Sequence, residues 1–174
     1  NIKKIEAYDV SHISGSHAVA SCIVFTHLGP LKKEYRLFNI PKDLSGNDVG
    51  SIEHVLERRI KYYENPEIKP DVILIDGGKT QLSYSQSVIN KSKHKSIKVI
   101  SIVKGSNRVR ATETILSQDG IIELDKYSKA YLVLQEMRDE SHRFAITAQR
   151  KKKRSSIKKS QLDEIDGVGD VLKK

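Results

Sequence analysis

The chain opens with three segments whose apolar residues are distributed as in β-strands. These strand patterns cover residues 2–10, 18–26 and 31–40. Gly29-Pro30 lies in the connection between the second and third segments, and a turn with Gly and Ser at 12–16 separates the first two. Short connections of this kind join neighbouring antiparallel strands, so the pattern predicts a three-stranded meander.

Helices and buried strands alternate in the middle of the chain. Apolar residues recur every three or four positions across 48–63, which predicts a helix. The compact apolar runs at 71–76 and 97–103 have the length of strands buried in a parallel sheet. Between them, Gly77-Gly78 turns the chain into a second predicted helix at 79–91.

A short hairpin and a long helix are predicted in the last third of the chain. Strand-like residues at 114–116 and 121–124 flank a turn at Asp119-Gly120. Ser128 is a suitable N-cap for a helix that we expect to end at about Lys152. Its predicted buried stripe consists of small and apolar residues: Ala130, Leu134, Met137, Ser141, Ala145 and Ala148.

This order of elements predicts an α/β fold. A three-stranded meander followed by β-α-β units gives a mixed sheet with helices on its faces. That order is the ribonuclease H-like arrangement, and we expect residues 1–153 to form one such domain. A fold does not define an activity, so the function has to be inferred from particular residues.

Carboxylates occupy unusual places in two of the predicted strands. Asp9 lies among apolar residues of the first strand, and Asp76 ends the apolar run before Gly77. A carboxylate in such a setting costs desolvation energy unless something compensates it. If these strands are neighbours, Asp9 and Asp76 converge, and Asp48 approaches from the first helix. Oxygen ligands of this kind suit Mg²⁺ or Mn²⁺. Asp76 is also consistent with a turn residue, and Asp48 with an acid favoured by the helix dipole.

A histidine and several cations are further candidates for a site. His142 lies beside the apolar stripe of the long helix, one turn after Arg138. An imidazole in this position is either packed and hydrogen-bonded or, with aspartates nearby, a metal ligand. We expect phosphate or substrate contacts from a separate set of residues: Tyr8, Lys79, Lys104, Arg108 and Arg110.

Positive charge is concentrated near the carboxyl end of the chain. Lys and Arg outnumber Asp and Glu by 31 to 22, a formal net charge of +9. Residues 143–160 contain eight basic residues and no acid; the central ones are Arg150, Lys151, Lys152, Lys153 and Arg154. Such a segment suits a polyanion, most simply nucleic-acid phosphate, although charge runs also occur at solvated helix ends.

The last residues contain a glycine motif. Gly167 and Gly169 flank Val168 between two short helical patterns, as in the hairpin of a helix-hairpin-helix element. The backbone N–H groups of such a hairpin can point at a phosphate. We therefore expect residues 154–174 to form a linker and the truncated start of this element, and a glycine-rich turn remains the alternative.

Length and composition limit the class of protein. The 174 residues suit one domain, and the single cysteine, Cys22, excludes an intramolecular disulfide. We expect a reducing, cytoplasmic location. No apolar run reaches the length of a membrane span, and the first residues do not resemble a signal peptide. The chain starts without Met in a strand-like pattern, so we expect it to be a fragment of a longer protein.

Four blocks of sequence carry a family resemblance. They are Tyr8-Asp9-Val10-Ser11-His12, the segment 20–25 (ASCIVF), the segment 74–79 (LIDGGK) and the segment 138–145 (RDESHRFA). Together, and in this order, they resemble the C-terminal half of the UvrC family, the nuclease subunits of bacterial nucleotide excision repair. Residues 162–174 resemble the start of the helix-hairpin-helix domain of that family.

The resemblance implies a reaction and a site. Family members cut DNA on the 5′ side of a lesion with a ribonuclease H-like domain that holds an Asp-Asp-His metal site. By motif, that triad falls on Asp9, Asp76 and His142, and a further acidic position falls on Asp48. The resemblance also implies damaged double-stranded DNA as substrate, Mn²⁺ or Mg²⁺ as cofactor, and the UvrB subunit as a partner of a part of the protein that this chain lacks.

Two other functions stay open from the sequence. A non-catalytic DNA-binding or scaffold domain on the same fold would be expected to lack part of the acidic set, yet Asp9, Asp76 and His142 are all present. A strand-transfer or RNA-cleaving enzyme of the same fold would be expected to carry a carboxylate on the last helix, a position for which Asp139 is available. His142 is either a metal ligand or a proton-handling group.

Overall fold

The computed structural model describes residues 2–11, 18–104 and 113–163, with side chains in the last range as far as Lys151. Within these residues, eight strands form one mixed sheet: β1 (Lys4–Ser11), β2 (Val19–Thr26), β3 (Gly29–Pro30), β4 (Arg36–Asn39), β5 (Val72–Asp76), β6 (Lys98–Lys104), β7 (Glu113–Ser117) and β8 (Gly120–Ile122). Their order across the sheet is β3-β2-β1-β5-β6-β7-β8, and β4 also pairs with β2. The β1–β5 and β5–β6 pairs are parallel, and the others are antiparallel.

Helices cover both faces of the sheet. They are α1 (Asp48–Ile60), α2 (Lys79–Lys91) and α3 (Lys129–Asp163). The first two pack together on one face, and α3 crosses the other face over β1 and β2. The sheet with helices on both faces confirms the expected mixed α/β fold. No helix in the described part of the chain is long and apolar enough to cross a membrane.

The predicted meander is correct in its pairing but wrong in its third strand. Residues 31–40 do not form one strand, because a 3₁₀ turn at Lys32–Glu34 interrupts them and only Arg36–Asn39 pairs with β2. None of the three turn residues is buried, so nothing favours an extended strand there. The backbone N–H of Tyr35 instead donates to the carbonyl of Lys32 and closes the turn.

The helix predictions differ from the structure mainly at the carboxyl ends. The predicted helix 79–91 is confirmed at both ends, whereas α1 ends at Ile60. The Ser128 hydroxyl accepts the N–H of Tyr131, as expected for an N-cap, but α3 continues past Lys152 to Asp163. Tyr131 takes the buried place expected for Ala130, which is exposed.

Strand alternation divides the core into two layers. On β1, Tyr8 faces α1 and α2, whereas Ala7 faces α3. On β5, Ile73 and Leu74 are divided in the same way. Asp9 is two residues after Ala7, and therefore the strand period places it on the face that α3 covers.

A buried polar cluster joins β1 to α1 inside the other layer. Glu6 is fully buried, and its carboxylate accepts hydrogen bonds from Arg59 (2.5 Å), Tyr8 (2.6 Å) and Tyr63 (2.5 Å). Burial, together with nearby negative charge, raises the pKa of both tyrosines well above its usual value, so they stay protonated donors. Four groups thus satisfy one another, as a buried charge requires.

Candidate active site

Two aspartates meet at the carboxyl edge of the parallel strands. The register of β1 and β5 pairs Tyr8 with Ile75, so the next residues along the two strands are Asp9 and Asp76. Asp9 is only 7% exposed, and Asp76 is partly buried. Open α/β sheets bind ligands at the carboxyl ends of their parallel strands. The predicted convergence of Asp9 and Asp76 is thus present in the fold.

Helix α3 brings the histidine to the same place. The Nδ1 atom of His142 lies 3.2 Å from Oδ2 of Asp9, and the Ser11 hydroxyl donates to the same oxygen at 2.9 Å. The His142 side chain is 59% exposed, so the ring is not packed in the core. A carboxylate that contacts an imidazole nitrogen in this way fixes the orientation of the ring.

Two hydrogen bonds, one before and one after His142 along α3, fix the position of this helix relative to β1 and β2. The hydroxyl of Ser21 donates to the carbonyl of Ser141 at 3.0 Å, and the side-chain amide of Gln149 donates to the carbonyl of Ser11 at 2.9 Å. Ser21, Ser141 and Gln149 are all buried. Sequence reasoning missed the positioning role of Ser21, Ser11 and Gln149. Its one available signal was a glutamine at helical spacing from the buried stripe.

At the carboxyl edge of β1 and β5, Asp76 has a shifted pKa. Burial raises the pKa of the Asp76 carboxyl, and the negative charge of Asp9 raises it further. Positive charge on Arg138, His142 and Lys104 lowers this pKa in part. The edge therefore holds two carboxylates whose mutual repulsion a bound cation would relieve.

Arg138 is a further residue whose role sequence reasoning missed. It lies one turn before His142 on α3 and forms ion pairs with Glu113 of β7 and with Asp139. These contacts keep the positive charge of Arg138 close enough to Asp76 to lower the pKa of that carboxyl, and they link α3 to β7. Asp139, by contrast, is exposed on the helix and is paired with Arg138.

The donor set fits a small divalent cation by its chemistry. Carboxylate oxygens suit Mg²⁺ and Mn²⁺, and an imidazole nitrogen is acceptable to Mn²⁺. Burial and the charge of Asp9 both raise the pKa of Asp76, and a bound cation would favour the charged form of this carboxyl. As the side chains stand, no group of three His, Cys, Asp or Glu residues among those described is arranged to hold a metal ion.

Two other predicted positions have different outcomes. Asp48 is the first residue of α1 and is exposed, and its participation in the site stays a prediction. The expected substrate contact of Tyr8 is wrong, because its side chain is 1% exposed and its hydroxyl is hydrogen-bonded to Glu6. Sequence alone did not show which face of β1 Tyr8 occupies.

The predicted DNA-contacting cations lie on exposed surfaces where the structure describes them. Lys79 is exposed at the start of α2, directly after the Gly77-Gly78 turn that follows Asp76. Lys104 is exposed at the end of β6, and its charge reaches Asp76. Arg108 and Arg110 lie outside the described residues.

The basic segment belongs to α3. Arg150 and Lys151 are exposed on this helix, and the helical backbone continues through Lys152, Lys153 and Arg154 to Asp163. The expected boundary between residues 153 and 154 stays a prediction, and the helix crosses it without a break. Gly167 and Gly169 lie outside the described residues.

Curated proteins with similar sequences carry the name UvrABC system protein C. UvrABC system protein C of Legionella pneumophila (strain Paris) is 40% identical over 171 residues, which cover 97% of this chain and 28% of that protein. The protein of the same name from Pseudomonas protegens is 39% identical over 179 residues, which cover 98% of this chain and 30% of that protein. The chain thus spans less than a third of the length of these relatives.

Among solved structures, the crystal structure of human ENDOV aligns with 85% of this chain and 86% of its own, at a TM-score of 0.48 and 12% identity. In the comparison with domain families, residues 1–146 match the UvrC RNase H endonuclease domain. This match includes Asp9, Asp76 and His142 and all of the described strands. The chain therefore belongs to the UvrC RNase H endonuclease domain family.

Proposed function

We propose that this domain makes the 5′ incision at a damaged site in duplex DNA during nucleotide excision repair. The observation that carries the proposal is the contact between His142 and Asp9 beside Asp76, at the carboxyl edge of β1 and β5. Family membership supports the nuclease activity, and the three side chains supply the groups that metal-dependent phosphodiester hydrolysis needs. The reaction adds water across the P–O bond and leaves two separate strand ends.

Asp9, Asp76 and His142 are the residues that would hold Mg²⁺ or Mn²⁺. Bound there, the ion would supply Lewis acidity toward the scissile phosphate and lower the pKa of a coordinated water. Asp9 orients the His142 ring, whose exposed position allows it to bind the ion or to transfer a proton. Asp48 would contribute a third carboxylate from the start of α1.

Positive charge around this edge would hold the DNA backbone without reading the base sequence. The charge of Lys104 acts on Asp76, and Lys79 follows Asp76 by three residues along the chain. The basic part of α3 begins at the carboxyl end of β1, where Gln149 donates to the carbonyl of Ser11. We include Arg108 and Arg110 in this surface, and we assign phosphate contacts of a helix-hairpin-helix start to Gly167 and Gly169. Damage would then be located by other parts of the protein and its partner.

The remaining assignments concern the full-length protein. We propose that it acts in the cytoplasm with the UvrB subunit, through a part outside these 174 residues. The family relatives are more than three times as long as the matched region, which leaves room for such a part. Incision by residues 1–174 alone is therefore not required by the proposal.

An assay of the second cut tests this function directly. A damaged duplex that already carries the 3′ nick is incubated with the full-length protein and its partner subunit, with Mg²⁺, with Mn²⁺ or with EDTA. We expect a 5′ incision product with either metal and none with EDTA. Equal incision in EDTA would exclude the metal-dependent mechanism, and no incision under any condition would favour a DNA-binding role.

The choice of metal tests the role of His142. An imidazole ligand favours Mn²⁺ over Mg²⁺, because nitrogen binds the transition metal better. We expect faster incision with Mn²⁺ than with Mg²⁺, and a smaller ratio of the two rates in the His142→Asp variant. His27→Asp, an exposed histidine at the opposite end of the sheet, is the matched control and should keep the wild-type ratio. An unchanged ratio in His142→Asp would remove His142 from the ligand set.

The salt dependence of DNA binding tests the basic part of α3. If six of its cations meet phosphates, log Kd changes with log salt with a slope of about 5. Replacing Lys151, Lys152, Lys153 and Arg154 by glutamine should reduce this slope by roughly 3 to 4. The control removes four exposed lysines from other surfaces and should leave the slope nearly unchanged: Lys33, Lys61, Lys91 and Lys95. Equal slopes for both variants would show that the segment is only solvated.

A further inference from the structure

An apolar groove lies at the end of the sheet opposite to the aspartates. It has a volume of about 650 Å³ and runs between the amino ends of β1, β5 and β6 and the first turns of α3. Its floor and walls are mainly aliphatic: Ile5, Val72, Ile100, Ile115, Ile122 and Leu134. The volume is in the range of pockets that enclose a ligand or several large side chains.

The groove exists because α3 does not cover the whole sheet. This helix packs mainly on β1 and β2, so the strands beyond them are only partly covered on that face. Ile5, Ile100 and Ile122 remain only half-buried, and Val133 of α3 is 39% exposed at the wall. Contiguous apolar surface of this kind is typical of an interaction site.

The charge at the rim indicates the chemistry of the occupant. Lys3, Lys98 and Lys129 are exposed around the opening, whereas Glu136 is the acidic residue among the lining side chains. In an apolar segment flanked by Asp or Glu, the apolar residues would pack in the groove and the carboxylates would pair with the lysines at its rim. A basic segment would meet the like charges of these three lysines.

The position of the groove and the length of the relatives point to a source for this segment. Ile2 and Lys3 form part of the groove wall, so the amino end of the domain lies at the groove. In the curated relatives, the matched region is 28% to 30% of a longer polypeptide. We propose that the groove docks a segment of the full-length polypeptide outside residues 1–174, with an apolar side and acidic flanks. This contact would fix the nuclease domain relative to the rest of the protein.

Neighbouring hydrophobic residues on α3 provide a matched pair of variants. Val133 lines the groove, whereas Leu132 is 51% exposed and is not among the lining residues. In the full-length protein, we expect Val133→Glu to raise amide hydrogen exchange at least tenfold in β8 and in one segment outside residues 1–174. Leu132→Glu should leave both unchanged. The segment that loses protection is the occupant.

A second pair tests the rim charge. Lys98→Glu should weaken protection of the same outside segment, whereas Lys95→Glu, an exposed lysine that does not line the groove, should not. Unchanged exchange outside residues 1–174 in both Val133→Glu and Lys98→Glu would overturn the proposal. Conversion of a dimer to a monomer by Val133→Glu, measured by light scattering, would instead assign the groove to a second copy and also overturn it. Incision is measured separately, because the aspartates lie at the other end of the sheet.

Discussion

Replacing Asp9 or Asp76 by asparagine is expected to reduce 5′ incision at least a thousandfold. Such a loss corresponds to about 4 kcal/mol of transition-state stabilisation. Asparagine keeps the shape of each side chain but removes the negative charge that would bind the divalent cation. The measurement is the single-turnover rate on a damaged duplex that already carries the 3′ nick, with Mg²⁺ and with Mn²⁺.

A measurement of stability shows whether the loss of incision comes from the missing charge or from unfolding of the variant. Burial and the charge of Asp9 both disfavour the charged form of Asp76, so Asp76→Asn without divalent cation should resist urea at least as well as the wild type. Asp119→Asn is the control, because Asp119 lies in the exposed β7–β8 turn, where an Asn-Gly pair is equally suitable. Incision within tenfold of wild type in Asp9→Asn or Asp76→Asn would contradict the site.

Replacing Arg59 by methionine is expected to lower the free energy of unfolding by about 3 to 5 kcal/mol. The substitution leaves Glu6 buried with the two tyrosine hydroxyls but without its cation. Loss of one partner from a buried ion pair has a cost of this size, because the remaining charge is not compensated. Urea unfolding with linear extrapolation measures the difference.

The adjacent arginine is the matched control for this substitution. Arg58 is exposed and lies over the ring of Phe38, 5.6 Å from its centre. Arg58→Met should therefore cost less than about 1 kcal/mol. A double variant, Glu6→Gln with Arg59→Met, should recover part of the loss because both charges are gone. Equal stabilities of Arg58→Met and Arg59→Met would show that the Glu6 cluster does not stabilise the fold.

Local sequence patterns predicted most of the secondary structure. The helix at 79–91 was predicted at both ends: Gly77-Gly78 sets its start, and its last apolar residue, Ile89, lies within one turn of its end at Lys91. The buried strand at β5 was equally clear, since an apolar run between Pro70 and Gly77 has few other solutions. Turn chemistry at Asp119-Gly120 was also predictable, and Gly120 has a φ of +127°, which favours glycine.

The errors occur where local pattern and tertiary packing differ. A strand pattern across 31–40 could not reveal the turn at Lys32–Glu34, because none of the three turn residues is buried and the segment therefore carries no packing signal. The end of α3 was placed too early, since a run of basic residues has high helix propensity but was interpreted as linker. Tyr8 was placed at a substrate surface, although its hydroxyl is enclosed by Glu6 and Tyr63.

The sequence by itself determined the kinds of groups and the order of elements: two strand carboxylates, a helix histidine and a basic helix. Their meeting was decided by the tertiary structure. Parallel pairing of β1 with β5 places Asp9 next to Asp76, and two hydrogen bonds from buried side chains set the register that brings His142 to Asp9. These contacts join residues up to 138 positions apart, and local periodicity contains no information about such pairs. The physical reason is that register depends on the packing of whole faces, which only the folded chain brings together.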